Sequence, residues 1–516
     1  MKNLIYAVFL LLIFSSCAKV NNTDKGFKPD GATATNFVMT NYYVNGSSGN
    51  DANTGTTDAT SLKTIQAALN KTVNGAGSTI YVAGGTYKER LSWPNSGASA
   101  TEPIKLTSYN NGIVILDGVN ATNDAQGAMI SVVSKSHIRI EFIQIANNIR
   151  NFASGFNMSG SGTDVQITDC KIYNIGWTTD IGIKPKPGDN ANPFVIIGNT
   201  ASSYNQIYIG NNEVYSCNTG YSEGLTVGGN VENFLIEGNT VHDITNIGID
   251  MTGNYAWTGA PANVNFARNG NVKYNKVYRC VSPVATSAGI YVDGGKWINI
   301  EGNRSYENST GISVGCENNN FTADGINIRS NFIYNNVEAG IIMGANAANS
   351  KVVNSSITNN TLYKNYTKGT WGGEIHLQNT DGLSIKNNII HSASNIVIVA
   401  SSTFHSPNLT ADYNNYYSAS GTAATVTFDW GGINGTTYGS FAAYKTATGL
   451  DSNSTYSNPL YVSGTLPLPD LHLTSASLCV NKGLPSFVAQ PGELDIDKEA
   501  RVRNSRVDIG ADETIY

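Results

Sequence analysis

The chain has 516 residues, a formal net charge of −6 and only 14% charged residues. That balance excludes a nucleic-acid binder, which needs a basic face. Its 53 glycines and its many Asn, Ser and Thr residues suit a neutral, hydroxyl-rich partner such as a polysaccharide or oligosaccharide.

Met1-Lys2-Asn3 leads into an apolar run from Leu4 to Phe14, which closes on Ser15-Ser16-Cys17. The run is too short to span a bilayer and has the charged, apolar, small order of an export signal. It resembles a bacterial lipoprotein signal over residues 1–17. The resemblance implies that Cys17 is lipidated and that the protein is exported to the cell envelope. There it would be held at the outer membrane or cell surface through the lipid alone. Residues 18–40 are polar and aperiodic and read as a flexible tether. Residues 41–516 follow with no second linker. That is long for one globular core, but not for a solenoid, which grows by stacking.

Leu62-Lys-Thr-Ile65-Gln-Ala-Ala68-Leu69 has helical spacing and can cover the first coil of such a stack. A phrase then recurs, with an apolar residue three before an asparagine and an apolar-aromatic pair after it. Examples are Ile209-Gly-Asn-Asn212-Glu-Val-Tyr215, Ile236-Glu-Gly-Asn239-Thr-Val-His242, Val272-Lys-Tyr-Asn275-Lys-Val-Tyr278 and Ile328-Arg-Ser-Asn331-Phe-Ile-Tyr334. Cys170 stands in the asparagine's place in Ile167-Thr-Asp-Cys170-Lys-Ile-Tyr173. Short strands at a step of roughly 20 to 30 residues, without the leucine-rich signature, predict coils of a β-helix. Each asparagine is expected at a tight turn, tolerating left-handed φ and bonding its neighbours along the axis.

A second phrase supplies another strand per coil, including Gly182-Ile-Lys-Pro185, Gly224-Leu-Thr-Val227, Gly248-Ile-Asp-Met251, Gly289-Ile-Tyr-Val292 and Gly311-Ile-Ser-Val314. Alternation sends Phe156, Ile183, Leu225, Ile249, Ile290, Ile312, Ile341 and Ile375 into the core. From about Asn415 to Tyr461 the rhythm weakens, which predicts an inserted loop or hairpin. The cysteines after Cys17 (Cys170, Cys217, Cys280, Cys316 and Cys479) lack CxxC spacing and read mostly as small core residues, with one bridge left open.

The entry phrases Tyr42-Tyr-Val-Asn-Gly46, Ile80-Tyr-Val-Ala-Gly84 and Ile115-Leu-Asp-Gly118, with the ending Arg506-Val-Asp508-Ile-Gly510-Ala-Asp-Glu513, resemble pectate-lyase-like proteins. The resemblance spans nearly the whole mature chain. It implies an all-β, single-stranded right-handed parallel β-helix with an N-terminal cap helix. Its parts would be an entry module over 41–118, regular coils over 119–415, and irregular coils with a C-terminal closure over 416–516.

The outward residues of the second phrase form a strip: Asn157, Lys184, Thr226, Asp250, Tyr291, Ser313, Ile342 and His376. A parallel row holds Lys186, Asp293 and Gln378. Asp250, Asp293 and Glu317 come from successive coils, and 24 residues separate the last two (317 − 293), nearly one coil. Paired carboxylates are what glycoside hydrolysis needs, one as acid and one as nucleophile or base. The phrases around Asp250, Asp293-Gly-Gly295 and Glu317 resemble β-helix glycosidases, which implies catalytic roles for these three. The plain alternative for each is a turn carboxylate bonding backbone amides. Glu223 is placed beside this groove, with Tyr291, His376, Lys184, Lys296, Trp297 and Gln378 as substrate-binding candidates.

The hydrolase reading needs no cofactor or metal. A polysaccharide lyase is the rival, with Lys184, Lys186, Lys296 or Arg304 as base and Ca²⁺ on the carboxylates. A non-catalytic glycan-binding lipoprotein is the third possibility. A monomer is expected in each case.

Overall fold

The computed structural model describes residues 39–122, 127–369, 371–430, 435–504 and 506–515, excluding the side chains of Ser402 and Thr403. The export signal, Cys17 and most of the tether lie outside the described residues.

Nearly every strand pairs in parallel with the strand one coil away. One turn of the solenoid is Leu225–Gly229, Val231–Glu237 and Thr240–Ile244. The first belongs to what we call the site sheet, the second to the back sheet and the third to the tyrosine sheet. The first two sheets join in a 28-stranded network, and the tyrosine sheet has 13 strands. The chain is therefore a right-handed parallel β-helix, as the repeats predict.

Inside it, register aligns Leu225 with Ile249, Ile290, Ile312, Ile341 and Ile375 in one continuous column. All six are fully buried. Full burial of each such side chain is worth about 1.5–3 kcal/mol. Ile183 does not join the column. It is exposed on the loop before Ala191–Gly198, and Phe194 takes its place opposite Leu225.

The asparagine ladder is present, with one correction. Asn275 donates both its backbone N–H and its amide to Asn303 Oδ1, at 2.9 and 3.0 Å. Asn303 does the same to Asn331, at 2.8 and 3.0 Å. The left-handed residue at each turn, however, is the one before the ladder asparagine: Tyr274, Gly302, Ser330 and Asn359 have φ of 54°, 67°, 55° and 56°. The asparagine keeps its side chain turned inward, accepting from the coil before it and donating to the coil after it. Outside, Tyr215, His242, Tyr278, Tyr306 and Tyr334 stack ring on ring with centroids 4.7 to 5.2 Å apart.

At the N-terminal end the helix Ile65–Lys71 lays Ile65, Ala68 and Leu69 over the first coil, and the Thr64 side chain caps it. At the other end an antiparallel hairpin, Thr427–Trp430 with Thr436–Tyr438, and the helix Phe441–Thr448 cover the last coil. The chain then runs back along the outside, where Leu471, Ile496 and Ala511 pack on Phe332, Tyr334 and Tyr363. All five cysteines of the β-helix are buried and free, so none forms a bridge. No helix among the described residues is long and apolar enough to cross a membrane.

Candidate active site

Register carries side chains from distant sequence onto one edge of the site sheet. Asp250 lies mid-strand in Ile249–Thr252 and pairs with Tyr291 of Ala288–Asp293, which pairs with Ser313 of Thr310–Gly315. Asp293 ends its strand beside Gly315, and Glu317 lies just past that next strand. The turn after Asp293 needs glycine: Gly294 has φ +70°, and a Cβ there would meet Asn254 at 2.5 Å.

Asp293 and Glu317 are linked through the Glu317 backbone and through a shared tyrosine hydroxyl. The Glu317 backbone N–H donates to Asp293 Oδ1 at 2.7 Å. The Tyr255 hydroxyl lies 2.5 Å from Asp293 Oδ2 and 3.1 Å from Glu317 Oε2, and the Tyr291 hydroxyl donates to Glu317 Oε1 at 3.2 Å. Asp250 is buried, and its Oδ1 has no hydrogen-bond partner among the described residues. Glu223 accepts from the Thr226 hydroxyl at 3.1 Å.

Burial, then the Glu317 charge, pushes the Asp293 carboxyl up to about 7. Glu223 is also pushed up to about 7, by burial and then by Glu317 and Asp293. Asp250 is raised well above the usual range by burial and by Glu223, Asp293 and Glu317. Four carboxyl groups thus share one small volume, and like charges at close range keep protons there near neutrality.

A cleft of about 990 Å³ opens from Glu317 and Tyr291 along the strip. Tyr366, Trp371, His376, Gln378 and Asp429 line it further on, and among the described residues no lysine or arginine does. Asp293, Asp250 and Glu223 do not line it. Gly315 and Gly344 keep its floor low, since a Cβ on either would meet Tyr291 or Gln378. His376 is buried edge-on to Trp371, at 4.7 Å, and burial holds it neutral, at about 4.

Sequence reasoning thus brought Asp250, Asp293, Glu317, Glu223, Tyr291, His376 and Gln378 to one face. Five other candidates are elsewhere. Lys184 is exposed on the loop before Ala191–Gly198, and Val195 holds its expected position on the strip. Lys186 is exposed on the same loop, where Ile197 takes its row. Lys296 and Trp297 belong to the back sheet, packed against Phe266. Arg304 is on the tyrosine sheet, beside Asp497.

Tyr255 was missed, as were Trp371 and Tyr366. Its signal was a long coil step: Asn239 and Asn275 are 36 residues apart where neighbouring rungs are 28 apart. The excess is an insertion beside Asp250 that carries Tyr255 and the exposed Trp257.

Fold and site together define a right-handed parallel β-helix protein with a carboxylate cluster at one end of an open cleft. The chain belongs to the family of the uncharacterized protein YwoF of Bacillus subtilis (strain 168). The two are 30% identical over 430 residues, which is 80% of this chain and 87% of that one. No family model matches the chain. Among solved structures it is similar to pectate lyase Pel9A, at 16% identity and a TM-score of 0.49 over 92% of this chain and 96% of that one. It is also similar to PfbA, a surface adhesin of Streptococcus pneumoniae, at 15% identity and 0.49 over 73% and 89%. A third is the GH136 lacto-N-biosidase from Eubacterium ramulus, at 13% identity and 0.48 over 80% and 66%.

Proposed function

We propose that the protein is a carbohydrate-active enzyme, a glycoside hydrolase that uses Asp293 and Glu317 as its carboxylate pair. The observation that carries this reading is the Tyr255 hydroxyl shared between them. Two oxygens that reach one hydroxyl are closer together than the roughly 6.5–9.5 Å an inverting pair needs to admit water. The geometry therefore fits a retaining displacement. One carboxylic acid protonates the glycosidic oxygen while the other attacks the anomeric carbon. Water then hydrolyses the glycosyl-enzyme, with the first group acting as base. A raised carboxyl pKa supplies the acid near neutrality.

The cleft's chemistry favours a neutral glycan over a polyuronate. Glu317, backed by the three buried carboxyl groups, stands at its end, and among the described residues no lysine or arginine lines it to neutralise a uronate or to act as the base of β-elimination. Trp371 and Tyr366 offer apolar ring surface to sugar faces along the groove. Asp250 and Glu223 hold protons of their own beside the pair, because burial and the neighbouring carboxylates raise both groups. In the same reading the enzyme is exported, anchored through Cys17 and monomeric.

The test is a glycan-panel digestion by soluble protein starting near Asn41, with and without EDTA. It follows reducing ends together with absorbance near 235 nm. New reducing ends without ultraviolet absorbance are expected, with turnover reduced at least about 10²-fold in Asp293→Asn and Glu317→Gln while glycan binding persists. Azide rescue, with its stereochemistry, then tells nucleophile from acid. Absorbance that rises and is lost with EDTA would overturn the reading in favour of a lyase. Binding without turnover would make the protein a glycan-binding module.

A further inference from the structure

The C-terminal closure carries a second cluster, far in chain order from the carboxylate pair. His472 stands on the strand Asp470–Leu473, Asp497 in the turn near Asp495, and Asp512 in the last residues. One ligand atom from each lies within 4.8 Å of the other two. Asp470 accepts from His472 Nδ1, which leaves Nε2 facing Asp497 Oδ2 at 2.7 Å. The ring is further fixed by its edge-on contact with Phe332.

The independent observation is Asp512 itself. It is only 7% exposed, no hydrogen bond among the described residues reaches its carboxylate, and the only cationic charges that act on it are the more distant ones of His472 and Arg501. Its neighbour Asp508, by contrast, accepts bonds from Thr514 and from the Asn481 backbone. A buried carboxylate without a donor is costly unless a cation or a proton compensates it.

We infer that His472, Asp497 and Asp512 form a structural site for a divalent transition-metal ion of the zinc type. One imidazole nitrogen and two carboxylates are a donor set for such an ion and leave further positions to water. Bonds of about 2.0–2.2 Å require His472 Nε2 and Asp497 Oδ2 to open from their 2.7 Å contact so that the ion replaces the proton between them. Asp470 supplies the carboxylate partner that ligating histidines characteristically have on their other nitrogen. Arg304 lies 3.4 Å from Asp497 Oδ1, so it need not leave when Oδ2 binds the ion. The ion would tie three segments of the returning chain to one another, beside the tyrosine sheet.

The test uses the soluble chain after EDTA treatment and dialysis. Zn²⁺ is added, bound metal is counted after gel filtration, and binding is followed by calorimetry. We expect one retained equivalent in the wild type, and less than about a tenth of that in Asp512→Asn or His472→Ala. Zn²⁺ should raise the unfolding temperature of the wild type and leave that of Asp512→Asn unmoved. Without metal, Asp512→Asn should be at least as stable as the wild type, because it removes a carboxylate that burial disfavours. Failure of the wild type to retain zinc, or equal retention by Asp512→Asn, would overturn the site. Preference for Ca²⁺ in direct competition would overturn the ion class, and a metal-free Asp512→Asn less stable than the wild type would show that its carboxylate has a protein donor.

Discussion

Tyr255 sits where the two proposed catalytic groups meet, and its hydroxyl acts on both. Its hydrogen bond holds the ionised form of Asp293 and so lowers that carboxyl, against the burial and the Glu317 charge that raise it. Tyr255→Phe removes the bond and keeps the ring. The pH–rate limb governed by Asp293 should therefore move to higher pH, from a starting point near 7. If Asp293 is the nucleophile, this is the acidic limb and activity narrows. If it is the acid, it is the alkaline limb and activity extends upward. A kcat/KM profile of the variant measures the displacement, and an unmoved profile would remove Tyr255 from the proton economy of the site.

At the scale of the element, the ladder asparagines hold coil to coil. Asn303 accepts two bonds from Asn275 through Oδ1, and its amide donates to the Val272 carbonyl at 2.8 Å and to Asn331. Asn303→Ala strands buried donors on one coil and acceptors on another, at about 1–3 kcal/mol for each group left unpaired. Denaturant unfolding should lose about 2–4 kcal/mol, because water can rescue only some of them. These elements were legible in the sequence because a coil imposes a phase on every residue in it. The same phase brought Asp293 and Glu317 together from a spacing near one coil. Phase also misled. Gly182-Ile-Lys-Pro185 imitates the strand phrase, yet Pro185 and Pro187 cannot donate to a ladder, and the true strand begins at Ala191. Loops carry no phase, so Tyr255, Trp371 and the return of the C-terminal chain were beyond sequence reading.

Across the whole molecule, the proposed site works against the fold that holds it. Asp293 is 2% exposed and titrates at about 7 in the native state, against an ordinary value of 3.8. A raised native pKa means that the folded chain binds this proton more tightly than the unfolded chain. The contribution is fully present below about pH 4 and is lost as pH rises through 7. Glu223 and Glu374, raised to about 7 and 8 chiefly by burial, act in the same direction. His376 and His391 act oppositely. Burial lowers them to about 4 and 3, so stability falls as pH drops below 6.5. The wild-type curve mixes both trends, and the difference between wild type and Asp293→Asn isolates one of them. An amide cannot ionise, so the variant should gain on the wild type steadily between pH 4 and 8. The relative gain should be on the order of 3 kcal/mol at the upper end. Thermal or denaturant unfolding across that range measures it. Parallel curves would show that Asp293 carries no raised pKa, and the proton for glycosidic cleavage would have to be sought at Glu223 or Asp250.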